Sequence, residues 1–312
     1  MSNIKNILAA MGAFGVILFS GTAEAAWPER PVTIITQAGS GSVIDLATRQ
    51  VATMLSEELG QPFLVTNQSG AGGNLAVNAM LQAKSDGYTM LTTGPHPYGY
   101  NLLTMKVRYK FEDLAPVSLI QNTCMAIIAL PDKGWKGVKD AYAAARAENR
   151  PLKVAVMDNL SRDILVKIGE KEGVKVAPIP QKGGMAILST ILGGHADIGL
   201  VGSIAVENTR AGKIVTLASA SSKRFDTLPD VPTLREQGYD FIDDAFVVLS
   251  FSREVPDEIV EKASQTMIKI SQTEAYKKML ETLSVEAAPM GRVEAAKLTR
   301  AEYENKRALL GK

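Results

Sequence analysis

Short apolar runs alternate with amphipathic helical patterns along most of this chain, and that alternation limits the possible folds more than any other feature. Residues 32–35 and 63–65 are predicted strands, and the apolar residues between them, from Ile44 to Leu59, recur at helical spacing and stop at Gly60. Strands that alternate with helices form mostly parallel sheets, covered by helices on both faces. The sequence therefore predicts an α/β fold.

The alternation starts again after residue 125 and indicates a second unit of the same kind. Further strands are predicted at residues 126–130, 153–156, 175–179, 197–201 and 214–218. Two long helices are predicted to close the chain, one starting at Pro256 and one near residues 293–309. Because these helices need a sheet to pack on and the second unit is already complete, we expect the chain to return to the first unit.

We therefore predict two lobes joined by two crossovers, with a cleft between them. Lobe 1 comprises residues 26–125 and 228–312, and lobe 2 comprises residues 126–227. Each lobe is expected to contain a mixed, mostly parallel sheet. The length of 312 residues also favours two domains over one.

Residues 1–25 have the pattern of an export signal. Lys5 precedes an apolar run at residues 7–19, and Ala23-Glu24-Ala25 is a small-residue cleavage signature. The run is shorter than the roughly 20 apolar residues that a membrane-spanning helix needs, although an uncleaved N-terminal anchor is the alternative. We expect cleavage after Ala25 and a mature protein outside the cytoplasm.

Composition argues against several classes of function. The formal net charge is +1, and removal of residues 1–25 leaves it unchanged, which gives no basis for binding nucleic acid. Cys124 is the only cysteine, so no disulfide is expected, and we predict that it is a small buried side chain. The chain has two histidines and none of the common catalytic motifs. We expect a protein that is not an enzyme and that uses neither a cofactor nor a metal.

A turn of small residues follows the first predicted strand and opens the first predicted helix. The N–H groups at a helix start have no intrahelical partner and lie at the positive end of the helix dipole, so this turn is a candidate anion site. Asp45 is expected to cap the helix rather than to contact a ligand. A second turn, residues 69–74, either binds the anion or supports the first turn. The ligand contacts predicted from these turns are Gln37, Gly39, Ser40, Gly41, Ser42, Val43 and Gly72.

Other strand ends supply further candidates. After the strand at residues 89–93, they are Thr92, Thr93, Gly94 and His96; from the second unit, they are Asp158, Ser161, Arg162, Lys182, Gly183, Gly202 and Ser203. The Arg162 guanidinium suits a carboxylate, but it could equally pair with Asp163 on the protein surface. Ser161 is the predicted N-cap of its helix. Lys182 either attracts anions or is a solvated loop residue.

Several motifs, in order along the chain, resemble one family of receptors. They are Pro31-Val-Thr-Ile-Ile35, Gly70-Ala-Gly-Gly-Asn74, Asp86-Gly-Tyr-Thr89, Leu114-Ala-Pro-Val-Ser118, Pro180-Gln-Lys-Gly183, Ala211-Gly-Lys213 and Leu228-Pro-Asp-Val-Pro-Thr233. The ordered set is similar to the tripartite tricarboxylate transporter substrate-binding proteins, also called Bug receptors. The resemblance covers essentially the whole chain after residue 25.

The resemblance implies a two-lobed periplasmic-binding-protein fold of the Venus flytrap type. It also implies a receptor that captures a small carboxylate between its lobes, and the ligands of such receptors range from di- and tricarboxylates to aromatic or amino acids. The receptor would work with a membrane permease of one large and one small subunit. We expect a monomer. Two alternatives stay open: a secreted α/β enzyme acting on a small anion, and a binding protein that reports to a sensor kinase.

Some positions depart from the family pattern and bear on the ligand. Gln37-Ala38 replaces a Pro-aromatic pair, Val43 and Ile44 replace smaller residues, and Arg162 lies where many members have a histidine. No acidic residue stands out in the sequence as a partner for an ammonium group. We therefore predict a carboxylate ligand without an α-amino group.

Overall fold

The computed structural model describes residues 27–123 and 125–312. The predicted export signal, its cleavage after Ala25 and the predicted burial of Cys124 lie outside these residues. Among the described residues, no helix combines the length and the apolar character needed to cross a lipid bilayer.

The first sheet has five strands in the order β2-β1-β3-β10-β4. Their bounds are Val32–Thr36 for β1, Phe63–Asn67 for β2, Thr89–Thr93 for β3, Leu114–Thr123 for β4 and Ala245–Ser252 for β10. β1 is parallel to β2 and β3, whereas β10 is antiparallel to β3 and β4. Four strands therefore share one direction, and β10 runs against them.

The second sheet repeats this arrangement in the order β7-β6-β8-β5-β9. Its strands are Ala126–Ala129 for β5, Leu152–Val156 for β6, Val176–Pro180 for β7, Ile198–Val201 for β8 and Val215–Ser219 for β9. β6 is parallel to β7 and β8, and β5 is antiparallel to β8 and β9. The reversed strand is thus, in each sheet, the one that follows a passage of the chain from the other sheet.

Helices cover both faces of each sheet, as buried clusters on the two faces show. They are α1 Val43–Leu59, α2 Asn74–Gln82, α3 Tyr100–Thr104, α4 Val138–Ala147, α5 Asn159–Glu172, α6 Gly184–Leu192, α7 Ile204–Arg210, α8 Asp257–Ser271, α9 Glu274–Leu283 and α10 Arg292–Leu310. The predicted α/β class with two mixed, mostly parallel sheets is confirmed.

Three helices, rather than the predicted two, follow β10. The hydroxyl of Thr273 accepts a hydrogen bond from the Tyr276 N–H at 3.2 Å, which caps α9 as a separate element. Pro256 directly precedes α8, in agreement with the predicted helix start at this residue. The prediction missed α9 because it lies directly after α8 without a glycine or proline between them.

The first helix illustrates how local sequence places the elements. The Ser42 hydroxyl accepts a hydrogen bond from the Asp45 N–H at 3.3 Å, and Gly60 ends the helix with a left-handed φ of 71°. Val51 and Leu55 are fully buried, and each burial stabilises the fold by about 1.5–3 kcal/mol. This packing holds the start of α1 beside the carboxyl end of β1.

The chain passes between the sheets twice, from β4 to β5 and from β9 to β10. The second passage lies later than the predicted lobe boundary at residue 227. Leu234 and Tyr239 are buried in the core of the second sheet, and the Leu234 N–H donates to the Ser219 carbonyl at 2.8 Å. The turn at residues 228–233 is therefore part of lobe 2, and we place the crossover near residues 242–244. The other predicted boundaries stay predictions.

Candidate functional site

A cavity of about 810 Å³ lies between the two lobes and is lined by residues from both. In lobe 1 its walls come mainly from the segments that follow β1 and β3, and in lobe 2 from those that follow β6, β7 and β8. Ligands of open α/β sheets bind at such carboxyl ends of strands. Residues on or beside the crossover strands β4 and β10, together with Leu283 and Ser284 at the end of α9, complete the wall.

Half of the predicted contacts line this cavity. They are Gln37, Gly39, Ser42, Val43, Gly94, His96, Asp158, Gly202 and Ser203. The prediction of these residues rested on their positions at strand ends, and the fold brings those ends together from both lobes. Their role in ligand binding stays a prediction.

Helix starts make up much of the wall. Ser42 and Val43 begin α1, and Gly184 begins α6, and all three line the cavity. The first N–H groups of a helix have no carbonyl partner within it, and the positive end of the helix dipole lies behind them. Both helices have neutral caps, Ser42 and Gly183. These two helix starts therefore suit an anionic group of a ligand.

Two glutamine side chains in the wall have buried polar atoms without a partner in the part of the chain that the structure describes. Gln121, on β4, is fully buried, yet neither atom of its amide group is hydrogen-bonded within the described residues. Gln37 Oε1 is also unpaired among them. A buried polar atom without a partner costs about 1–3 kcal/mol. Two such groups bordering one cavity point to a ligand that completes their hydrogen bonds.

The second glycine turn supports Gln37. A Cβ atom at Gly73 would overlap Gln37 Oε1, and one at Gly94 would lie 3.2 Å from Gln37 Nε2. Asn101 Nδ2 donates to the Gly72 carbonyl at 2.9 Å and thereby fixes the turn, and Gly72 itself does not line the cavity. Of the two predicted roles for this turn, the structure favours support of the first turn.

Asp45 holds the first turn in shape, and the cap of α1 is the Ser42 side chain rather than the predicted Asp45 carboxylate. Its carboxylate accepts hydrogen bonds from the Gly41 N–H at 2.8 Å and from Asn67 Nδ2 at 2.7 Å, and it pairs with Arg49 at 3.1 Å. Burial acts to raise the pKa of Asp45, but the hydrogen bonds from Arg49, Gly41 and Asn67 outweigh it and lower that pKa. Gly41 thus serves the network of Asp45 instead of the cavity.

Three carboxylates line the cavity: Asp158, Glu207 and Asp243. Neither a lysine nor an arginine is among the described residues that line it. Asp158 Oδ1 accepts from the Ser161 N–H at 2.7 Å, and Glu207 Oε1 accepts from the Ser284 hydroxyl at 3.0 Å. The sequence singled out none of these acids as a partner for an ammonium group, because they come from segments far apart in sequence.

Asp243 belongs to a buried group of charges at the second crossover. Lys306 pairs with Glu302 at 3.1 Å and donates to the Ile242 carbonyl at 2.8 Å, and both side chains of the pair are almost completely buried. Burial raises the pKa of Asp243 to about 6, even though Lys306 opposes this rise. Asp243 thus changes charge close to neutral pH.

Two predicted threonines are buried in the sheet instead of lining the cavity. Thr92 and Thr93 are fully buried, and the Thr92 hydroxyl bonds to that of Thr48 at 3.0 Å. β3 lies inside the sheet, with both of its edges paired to β1 and β10. The other predicted residues outside the cavity wall are Ser40, Gly41, Gly72, Ser161, Arg162, Lys182 and Gly183.

The helix that carries Ser161 and Arg162 begins earlier than predicted. Asp158, and not Ser161, is the N-cap of α5, which makes the predicted cap wrong. Arg162 hydrogen-bonds to Asp163 at 2.8 Å and to Asn159 at 3.0 Å, and 44% of its side chain is exposed. The surface alternative for Arg162 is therefore the one that the structure favours.

Lys182 and Gly183 lie in the loop before α6. Lys182 is exposed, as its solvated alternative required, and Gly183 is the N-cap of α6 with a φ of 134°. Gly184, the next residue, is the one that borders the cavity. The prediction was one residue early at this turn.

Hydrogen bonds join the lobes at the edges of the cavity. The Tyr100 hydroxyl in lobe 1 donates to Asp163 in lobe 2 at 2.7 Å. Ser284, which follows α9, bonds to Glu207 on α7, and both residues border the cavity. These contacts hold the two lobes close together around the site.

Sequence reasoning missed the residues of the crossovers. Gln121, Thr123, Asp243 and Phe246 line the cavity on or beside β4 and β10. The predicted cleft between two crossovers was a signal for them, because the strands that join two lobes must pass through the floor of the cleft. Which of their side chains point into it depends on the register, and that is not visible in the sequence.

Sequence comparison identifies the family of this chain. Residues 47–312 match the sequence profile described as the tripartite tricarboxylate transporter family receptor. The chain is 32% identical to the protein BugT from Bordetella pertussis over 251 residues, which cover 76% of this chain and 75% of BugT.

Solved structures have the same fold. A TctC solute-binding protein from Polaromonas superposes with a TM-score of 0.77 at 24% identity, covering 91% of this chain and 99% of that one. MatC from Rhodopseudomonas palustris, solved with bound malate, superposes with a TM-score of 0.74 at 24% identity, covering 91% of this chain and 99% of MatC. An R. palustris protein solved with adipate superposes with a TM-score of 0.76 at 24% identity, covering 91% of this chain and 98% of that protein. With the match over residues 47–312, the chain belongs to the tripartite tricarboxylate transporter receptor family.

Proposed function

We propose that this protein captures a small organic carboxylate in the cavity between its lobes and delivers it to a membrane permease of the tripartite tricarboxylate type. The observation that carries the proposal is the cavity wall itself, which combines the starts of α1 and α6 with the amide of buried Gln121, unpaired within the described residues. Helix starts supply N–H donors for a carboxylate, and Gln121 supplies a further donor and an acceptor.

The related structures support the choice of ligand class. MatC was solved with malate and the other R. palustris protein with adipate, and both ligands are carboxylates. The receptor role in transport is that of the family, whose members are periplasmic binding proteins. For this chain we propose a monomer that is released into the periplasm by cleavage after Ala25 and that binds its ligand without changing it.

The test is a thermal-shift and calorimetry screen of linear, branched and aromatic carboxylates against residues 26–312. We expect at least one carboxylate to raise the melting temperature, because a ligand that binds only the folded state stabilises it. Chromatography of the released ligand should recover it unchanged. Conversion of the ligand to a product would favour the secreted enzyme, and failure of every carboxylate to bind would refute the receptor for carboxylates.

A further inference from the structure

We propose that the ligand of this cavity carries a positively charged group, such as an ammonium, in addition to its carboxylate, and that this group lies beside Asp158 and Asp243. This inference rests on the proposed function, in which the cavity binds a small carboxylate. It replaces the expectation of a ligand without an amino group, and it names a zwitterion as the substrate class.

The charges of the cavity wall are one-sided. Asp158, Glu207 and Asp243 line it, and no lysine or arginine does so among the described residues. A ligand with two carboxylates would bring two negative charges to a wall that already has three. A zwitterion brings no net charge, and its cation has a partner. Electrostatic complementarity therefore favours the zwitterion over a dicarboxylate.

Asp243 is the acid that most requires a partner. Only 3% of the residue is exposed, and its backbone N–H donates a hydrogen bond to the Ala220 carbonyl at 2.7 Å. The nearby Lys306 is bound to Glu302 and to the Ile242 carbonyl. Among the described residues, no group donates a hydrogen bond to the Asp243 carboxylate. A buried carboxylate in this situation is stabilised by a cation or donor that arrives with a ligand.

The helix starts define where the two ends of the ligand lie. The start of α5 already holds an anion, because the Asp158 carboxylate caps it and accepts from the Ser161 N–H at 2.7 Å. The starts of α1 and α6 have the neutral caps Ser42 and Gly183. The first turn of α1 also contains the carboxylate of Asp45, but Arg49 balances its charge. A ligand carboxylate is therefore directed to α1 and α6, and the cation to the side of Asp158 and Asp243.

Buried Gln121 provides an independent sign that a polar ligand occupies this space. Its side chain has no exposed surface, and neither its Nε2 nor its Oε1 is hydrogen-bonded within the described residues. Because one atom donates and the other accepts, the amide can bond to a carboxylate and an ammonium alike. A ligand that carries both groups satisfies both atoms.

The pH dependence of the affinity should have opposite signs for a zwitterion and for a plain carboxylate, because Asp243 is itself ionisable. The groups that face Asp243 are Asp158 from the start of α5, His96 after β3, and Lys306 and Glu302 from α10. Burial raises the pKa of Asp243 to about 6, so its ionisation rises between about pH 5 and pH 7.5. The affinity for a zwitterion should increase over this interval, and the affinity for a plain carboxylate should decrease.

The experiment compares matched compounds by calorimetry on residues 26–312. The compounds are pentanoate, 5-aminopentanoate, norvaline and glutarate, with 4-methylpentanoate against leucine and 3-phenylpropanoate against phenylalanine as further pairs. In any pair that binds, we expect the amino compound to bind at least about tenfold more tightly near pH 7.5. Plain carboxylates or glutarate that bind as tightly as the amino compounds would overturn the inference and leave the proposed function intact. No binding in any pair would refute both.

Two variants assign the preference to the acids. Asp243→Asn should reduce the preference for the amino compound to less than about threefold and remove its pH dependence. Asp158→Asn should also weaken the preference, and it keeps a good helix cap, so α5 should stay folded. The control is Asp132→Asn, an exposed aspartate that does not line the cavity. Unchanged preference in both acid variants would overturn the inference.

Discussion

Replacement of Gln121 by methionine should make the empty protein more stable and its ligand binding weaker. Gln121 is fully buried on β4 beside the cavity, and both atoms of its amide lack a hydrogen-bond partner within the described residues. Methionine has a similar volume and no polar atom that needs such a partner. The exchange therefore removes a desolvation cost of about 1–3 kcal/mol without leaving a cavity.

For a protein of this size, that change corresponds to an increase in melting temperature of about 2–8 °C, measured by calorimetry without ligand. In the ligand complex, loss of the amide removes hydrogen bonds to a charged group, which should lower the affinity by about ten- to a hundredfold. The control is Gln265→Met on the exposed face of α8, which should alter neither quantity. A Gln121→Met variant that is less stable, or that binds as well as the parent, would refute the role assigned to this amide.

Three further predictions concern other residues of the site. Asp243→Asn should stabilise the empty protein by up to about 3 kcal/mol at about pH 7.5 and by much less at about pH 4.5. The reason is that burial raises the pKa of Asp243 to about 6, so the stability that its protonated form supplies is lost as the pH rises from about 4 to 6. Melting temperatures measured across this pH range test the prediction, and a variant that is destabilised at pH 7.5 contradicts it. Gly60→Ala should cost about 1 kcal/mol for a left-handed φ, and Gly73→Ala should cost more, because its Cβ would also overlap Gln37. Only Gly73→Ala should weaken binding, and equal affinities of the two variants by calorimetry would show that Gln37 is not held for the ligand. Arg162→Ala should leave the affinity within about twofold, since Arg162 is bound to Asp163 and Asn159, and a tenfold loss would return it to the site.

The parts of the fold and site that depend on local sequence were predictable. The turn that includes Gly39 and Ser42 follows β1 and opens α1, and its small residues and capping pattern are enough to predict that position. Gly202 and Ser203 follow β8 in the same way. Strand ends of both lobes therefore meet at the cavity, as the alternation of strands and helices predicts.

The parts that depend on register and on competition between partners were not predictable. Gln121 borders the cavity because of the pairing of β4 with β10, and that pairing contains register shifts next to Val247. Asp243 is placed by a crossover that lies some fifteen residues after the predicted boundary at residue 227. Arg162 was expected to face a ligand, but Asp163, its neighbour in sequence, binds its guanidinium. A sequence pattern does not show which of two partners an arginine chooses.

The most direct test of the central claim is a crystal structure of the protein with a carboxylate that stabilises it in the thermal-shift screen. We expect density for the ligand between the lobes, with its carboxylate at the starts of α1 and α6 and a hydrogen bond to Gln121. The contradicting result is a ligand bound elsewhere, for example in the groove between lobe 2 and α10 that Lys167, Lys171 and Arg235 line together with Glu170 and Asp240. A carboxylate in that groove, with the interlobe cavity unchanged, would show that the helix starts and Gln121 do not form the binding site.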